Sequence, residues 1–209
     1  MRLAYLTLSF IILSFISFSQ LNLSVVHFRP TSAFGSVMKP TFTAELGTSK
    51  RFEDDKKFRM NFSGNLMVFK PKADTFLVYS VITNPDGTSD VRPGYEVTNR
   101  YINLMFYGGA EYAPFVFRHT DKVHPFIGMD LMIGFNFYKG ETAYSGLSHT
   151  QESGNTMIFG GRVKIGLEYD LNDSFSLNGQ FGSSAWLLTV PVSIGSGYHY
   201  SLGIKYNFN

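Results

Sequence analysis

Alternation with a period of two constrains this chain more than any other feature of its sequence. At 198–208 the even positions are Tyr198, Tyr200, Leu202, Ile204, Tyr206 and Phe208, while the odd ones are His199, Ser201, Gly203, Lys205 and Asn207. A β-strand sends successive side chains to opposite faces, so this segment has one apolar face and one polar or glycine face. The pattern recurs at 156–171, where Met157, Phe159, Val163, Ile165, Leu167, Tyr169 and Leu171 oppose Arg162, Lys164, Glu168 and Asp170. It recurs at 126–137, with Phe126 and Met132 on the polar side, and at 58–70, where Phe58, Met60, Phe62, Leu66 and Val68 oppose Arg59, Asn61, Ser63 and Asn65.

Four further segments carry the pattern less cleanly. In 34–47, Phe34, Met38, Phe42 and Leu46 face away from Lys39, Thr41, Thr43 and Glu45, with Pro40 tolerable at an edge or bulge. In 96–117, Ile102, Leu104, Phe106, Ala110, Tyr112 and Val116 oppose Asn99, Asn103, Tyr107 and Glu111. Segment 174–189 begins with Phe175, Leu177 and Phe181 on one face, and Trp186 breaks the parity, which suggests a bulge near Ser183 and Ser184. Segment 75–83 is apolar on both faces, so its facing is undecided. Counted back from the C-terminus, short connections (71–74, 118–123, 172–173) alternate with mostly longer ones (48–57, 84–94, 139–155, 190–196). The expected architecture is all-β: an eight-stranded antiparallel up-and-down barrel over 33–209, with 20–32 as an N-terminal lead-in, although 21–27 is also able to begin the first strand.

The N-terminus reads as an export signal. Met1 and Arg2 precede an apolar run over 3–16, and Ser17-Phe18-Ser19 supplies small residues at the positions signal peptidase reads, so residues 1–19 are expected to be cleaved before Gln20. The run falls short of the roughly 20 apolar residues of a spanning helix. The chain has no cysteine, which excludes lipidation after the signal, disulfides and thiolate metal sites. Without Arg2, 17 basic residues face 16 acidic ones, a balance that gives no reason to expect nucleic acid as a partner.

Alternation alone does not separate a membrane barrel from a soluble, lipocalin-like one. Volume does: five or six Tyr, Phe, Leu and Ile from most strands would overfill an eight-stranded interior, whereas Gly, Ser, Asn, Thr and a limited set of charges fit it. The apolar face is therefore expected to meet lipid and the barrel to be transmembrane. The polar face then collects Lys39, Glu45, Arg59, Glu111, Asp130, Arg162, Lys164, Glu168 and Lys205 in the lumen. Their near balance of sign points to a paired network, with Glu111, Asp130, Arg162 and Lys164 clustered near mid-barrel and Glu111 roughly opposite Asp130.

At the C-terminus, Ser201, Gly203, Tyr206 and Phe208 stand in the order polar, Gly, aromatic, aromatic, and Asn209 follows. This tail resembles the C-terminal sorting signal of bacterial outer-membrane proteins, and the strand plan over 33–208 is similar to OmpX and to the transmembrane half of OmpA. The resemblance implies outer-membrane lipid and the barrel-assembly machinery as partners and the cell outer membrane as location; a wall-anchoring domain is not implied.

Sites of chemistry are sparse. His199-Tyr200-Ser201 resembles the His-x-Ser pair of the outer-membrane lipid A deacylase family, but both side chains fall on the lumen parity and no acidic residue follows them. His27, His119, His124 and His149 have no ligand spacing, so no metal is expected. The stretch 86–90 is a faint echo of a calcium loop, better read as a solvated turn. No cofactor is expected. The segment 139–155, rich in Ser, Thr, Gly and Tyr, is the expected place for an extracellular ligand. The expected function is structural or surface-interacting; the alternatives are a narrow small-solute channel and a lipid-modifying enzyme.

Overall fold

The computed structural model describes residues 20–31, 38–51, 57–72, 76–113, 122–144, 150–189 and 192–208. Among these residues nine strands follow one another: β1 (Gln20–Thr31), β2 (Thr41–Arg51), β3 (Phe58–Phe69), β4 (Phe76–Thr83), β5 (Ser89–Tyr112), β6 (Val123–Tyr144), β7 (Thr150–Asp170), β8 (Phe175–Thr189) and β9 (Val192–Asn207). All pairings are antiparallel, and β1 pairs with β9 from Gln20↔Asn207 to Thr31↔Ser196, which closes the sheet. β3 and β4 take successive stretches of the same edge of β5: Phe69 lies opposite Tyr101 and Phe76 opposite Glu96. The two strands thus fill one wall position, and the barrel closes with eight. A bulge interrupts the β5–β6 register between Thr98 and Arg100.

Two expectations are corrected together. Residues 20–31 are a wall strand and not a lead-in, because Gln20 to Phe28 pair with both β2 and β9. Val26 and Phe28 point inward among polar neighbours, which blurs the alternation there. Segment 75–83 is not a separate crossing, since β4 continues β3 along β5. With one strand gained before 34–47 and one lost after 58–70, the ends exchange. The last residues of β2 and the first of β3 lie, with the facing ends of β5, β6, β7 and β8, at the end that holds Gln20 and Asn207, and the last residues of β3 lie away from it. Much of 84–94 and 139–155 is strand, because β5 starts at Ser89, β6 runs to Tyr144 and β7 starts at Thr150. Phe34, Val116, His119 and His149 lie outside the described residues.

Facing follows the alternation. Leu131, Phe42 and Leu202 are 75%, 72% and 67% exposed on the outer face, while Asp130, Ser24 and Ser201 sit inside. Trp186 needs no bulge. The β7–β8 and β8–β9 registers run through it without a shift, and it is 6% exposed in the lumen. Met38, expected outside, is buried and bridges to Pro71.

Large lumen side chains are accommodated by glycines directly across the ladder. Met105 faces Gly134, Phe126 faces Gly166, Met132 faces Gly160, Trp186 faces Gly195 and His199 faces Gly182. A Cβ added at any of these glycines would come within 3.0 Å of the opposing side chain. Each bulky group therefore lies in the volume its partner leaves empty. We expect Gly160→Val to lower stability by about 1–3 kcal/mol in urea unfolding of the detergent-folded protein. Gly161→Ala, whose Cβ would meet only Asp130 O at 3.6 Å, is expected to be neutral, and equal costs at the two positions would contradict the packing argument.

Candidate functional site: the barrel lumen

The lumen is filled in two storeys. The lower one, toward Gln20 and Asn207, is a chain of alternating charges. Glu45 accepts from Arg162 Nη1 at 2.8 Å, and Arg162 Nε donates to Asp130 at 2.7 Å. Lys164 Nζ lies 3.2 Å from Asp130 and 2.7 Å from Glu111. Arg59 joins Glu111 to Glu168, and Lys205 Nζ donates to Glu168 at 2.7 Å. Among the described residues, the four buried carboxylates and four buried cations, every side chain at most 7% exposed, balance to zero, and each lies beside an opposite charge.

Neutral groups complete the coordination. Ser63 Oγ and Asn65 Nδ2 donate to Glu45 at 2.8 and 3.2 Å, and Asn61 Nδ2 donates to Asp130 at 2.7 Å. Arg162 lies 3.9 Å over the Tyr107 ring, and Arg59 and Lys205 lie 4.8 and 5.4 Å over Phe126. Phe126, an apolar residue on a polar parity, is thus a floor for two cations. The upper storey is mainly apolar: Phe28, Met67, Phe69, Met105, Met132, Ile158 and Trp186 pack together beside buried Asn103, Asn136 and Thr156, with Phe28 ring centroids 5.7 Å from Phe69 and 5.6 Å from Trp186. In the lower storey a cavity of about 20 Å³ remains beside Asn22, Asn61, Gln180 and Lys205.

The structure brings eight of the nine charges singled out from sequence together and leaves out Lys39. That residue precedes β2, is exposed, and donates its backbone N–H to Lys70 O, while neighbouring Met38 takes the inward place. Glu111 stands opposite Gly128 and Asp130 opposite Gly109, so the two carboxylates are offset along the wall with Lys164 between them. Arg59 and Glu111 are direct cross-strand partners, a pairing hidden from sequence as long as 75–83 is set between their strands. The roles of Asn61, Asn65 and Tyr107 as partners were also missed; their inward parity was the available signal.

The remaining candidates are dispersed. His199 and Ser201 are buried on the lumen face, where His199 Nε2 and Ser201 Oγ have no hydrogen-bond partner among the described residues. His27 is outward, its ring 4.6 Å from Phe42 and 6.2 Å from Tyr200. His124 Nε2 lies 2.7 Å from Asp170, which also accepts from Ser176 Oγ at 2.7 Å. Among the described residues no three His, Asp or Glu side chains form a metal-binding group. Asp86 accepts from Thr88 N and Oγ1 at 3.0 and 2.6 Å, which holds its carboxyl below the usual range. Gly87 has φ +82°, the left-handed conformation that a side chain would strain, so 84–88 is a tight turn. In the C-terminal tail Ser201 and Gly203 face inward and Tyr206 and Phe208 outward.

By sequence the chain matches no protein-family model and no curated protein. Its fold matches the crystal structure of Neisserial surface protein A at TM-score 0.52 and 14% identity, over 90% of this chain and 96% of that one. Ail, the attachment invasion locus protein of Yersinia pestis, aligns at TM-score 0.48 and 12% identity over 91% of this chain and 99% of its own. OprG from Pseudomonas aeruginosa aligns at 0.45 and 10% over 92% and 97%. The chain therefore has the closed eight-stranded antiparallel barrel fold found in small outer-membrane proteins.

Proposed function

We propose that the chain is an integral outer-membrane barrel with a filled lumen and a structural or surface-interaction role, carried by the hairpins above one rim. The observation that carries this reading is the inverted facing: apolar side chains line the outside, while the described residues inside hold a neutral chain of ion pairs from Glu45 to Lys205. A soluble barrel would have the reverse. On β6 the outer face is apolar from Val123 to Phe137 and turns to Lys139 above. About 14 steps of about 3.3 Å at a tilt of about 40° rise roughly 35 Å, enough for an apolar band of about 25 Å and its interfaces.

In this reading residues 1–19 are removed on export, the tail with Ser201, Gly203, Tyr206 and Phe208 engages the barrel-assembly machinery, and Gln20 and Asn207 lie on the periplasmic side. The opposite rim then displays the β4–β5 and β6–β7 hairpins to an extracellular ligand. The packed, mainly apolar upper storey and the paired lower one speak against a solute path. His199 and Ser201 face the lumen, away from lipid, which weighs against the deacylase alternative.

Three measurements test the reading. Ile165→Arg is expected to destabilise the folded protein by about 2–4 kcal/mol near the bilayer midplane; a neutral result would sink the lipid-facing assignment of β7. Protein in planar bilayers is expected to show no steady conductance. Arg162→Met is expected to cost on the order of 3–5 kcal/mol, because it leaves Glu45 and Asp130 short of a cation, and adding Asp130→Asn should restore part of it. A channel would show the opposite: small, additive stability effects and a shift in ion selectivity.

A further inference from the structure

We propose that a row of cations on the outer wall binds the phosphates of a phosphorylated lipid in the outer leaflet. The inference rests on the membrane reading above and goes beyond it, because it names a headgroup chemistry and its place on the barrel.

Two lysines set against each other form the middle of the row. Met38 bridges to Pro71 and both are buried, so the adjoining residues Lys39 and Lys70 lie opposite one another and turn outward. Lys39 N donates to Lys70 O at 2.9 Å, and both side chains are exposed. On one side Phe69 pairs with Tyr101, which sets Arg100 of β5 in register beside Lys70, and Arg100 pairs with Lys139 of β6, exposed on the outer face. On the other side Phe28 pairs with Thr41, so exposed Arg29 of β1 stands beside Pro40 and next to Lys39. Neighbouring strands lie about 4.8 Å apart, which brings adjacent cations within reach of one phosphate.

Like charges directly opposite each other destabilise a sheet, and the row holds no acidic residue to relieve them. Arg29, Lys39, Lys70 and Lys139 form no ion pair with another described residue. The contrast with the lumen is direct: each described charge of the lower storey has an opposite partner, whereas these cations have none within the described chain. An anion from outside is the missing counterpart.

Height decides which anion. Just below the row the outer face is apolar, with Phe42, Phe137 and Val68 all well exposed, so the cations follow the upper border of the band, where acyl chains end and headgroups begin. This border lies at the end away from Gln20 and Asn207, the outer leaflet in the reading above. The row is on the wall and not on the hairpins that project above it. A lipid reaches it with its chains against Phe42 and Phe137; a soluble polyanion would first have to displace that lipid.

The full chain, folded in mild detergent, is titrated with lipid A carrying both phosphates and with the same lipid stripped of them, and bound lipid is counted by native mass spectrometry. Wild type is expected to prefer the phosphorylated lipid by at least about twentyfold. Lys39→Gln with Lys70→Gln should weaken that lipid about twentyfold and leave the stripped one unchanged. Lys139→Gln alone should weaken it about fivefold, and this variant decides if the double one does not fold. Lys122→Gln, at the opposite rim, should change neither. Equal affinity of wild type for the two lipids, a preference that survives in the double variant, or an equal loss at Lys122→Gln would each overturn the proposal. Heparin that binds through Lys39 and Lys70 more tightly than lipid A would overturn it too, and assign the row to a soluble polysaccharide. Heat-modifiable gel migration of wild type in vesicles reports insertion: without it the membrane reading fails as well, and with it only the headgroup assignment does.

Discussion

Closure of β1 onto β9 is the interaction on which the rest of this structure depends. Twelve residue pairs, from Gln20↔Asn207 to Thr31↔Ser196, join the first strand to the last. Without them the sheet would present two edges, each a row of unpaired N–H and C=O groups open to pairing with another chain. Closure also divides space. Once the sheet is a tube, period-two alternation assigns every second residue to an interior of fixed volume, and what fits there is decided for all eight wall positions at once.

That fixed interior explains the pairing of bulk with absence. Five large groups, Met105, Phe126, Met132, Trp186 and His199, each face a glycine. The charges obey the same limit by another route. Arg162 reaches from β7 across the lumen to Glu45 on β2, and Arg59 on β3 reaches Glu168 on β7, so each long side chain fills volume while it neutralises a carboxylate. Removal of any one member leaves both a cavity and a buried charge, which is why the network and the packing are one object energetically. The boundary between the storeys is made by Tyr107, whose ring belongs to the apolar cluster above and receives Arg162 from below.

What was legible in sequence was what alternation alone determines. The facing of β3, β6, β7 and β9, and the inward place of Glu45, Arg59, Glu111, Asp130, Arg162, Lys164, Glu168 and Lys205, follow from parity. Three features did not, for separate reasons. β1 was obscured because its inward residues include Val26 and Phe28, which serve the apolar storey, so polarity no longer marks the inside. β4 imitated a crossing strand because β-propensity does not tell a new strand from the continuation of an old one past a break. Lys39 kept the lumen parity on paper, but Met38 enters the barrel beside Pro71 and the count from β2 does not extend that far. Apolar inward positions misled at Val26, Phe28 and Trp186, though not at Phe126 and Met132; Trp186 is the clearest, taken for a bulge when it is simply inside.

The barrel wall is taller on one side than on the other. β8 reaches its last partner on β7 at Leu188↔Ile158, so β7 from Thr150 to Met157 pairs only with β6. β4, β5, β6 and β7 thus continue upward as a four-stranded sheet on one side while β8, β9, β1 and β2 stop lower. Each projecting hairpin inherits its register from strands already paired in the barrel wall below. The entropy of closing the turn at 84–88 falls on a few residues, and not on the whole segment between wall strands. A surface built from strands already paired in this way loses less conformational entropy on being bound than flexible loops of the same length would.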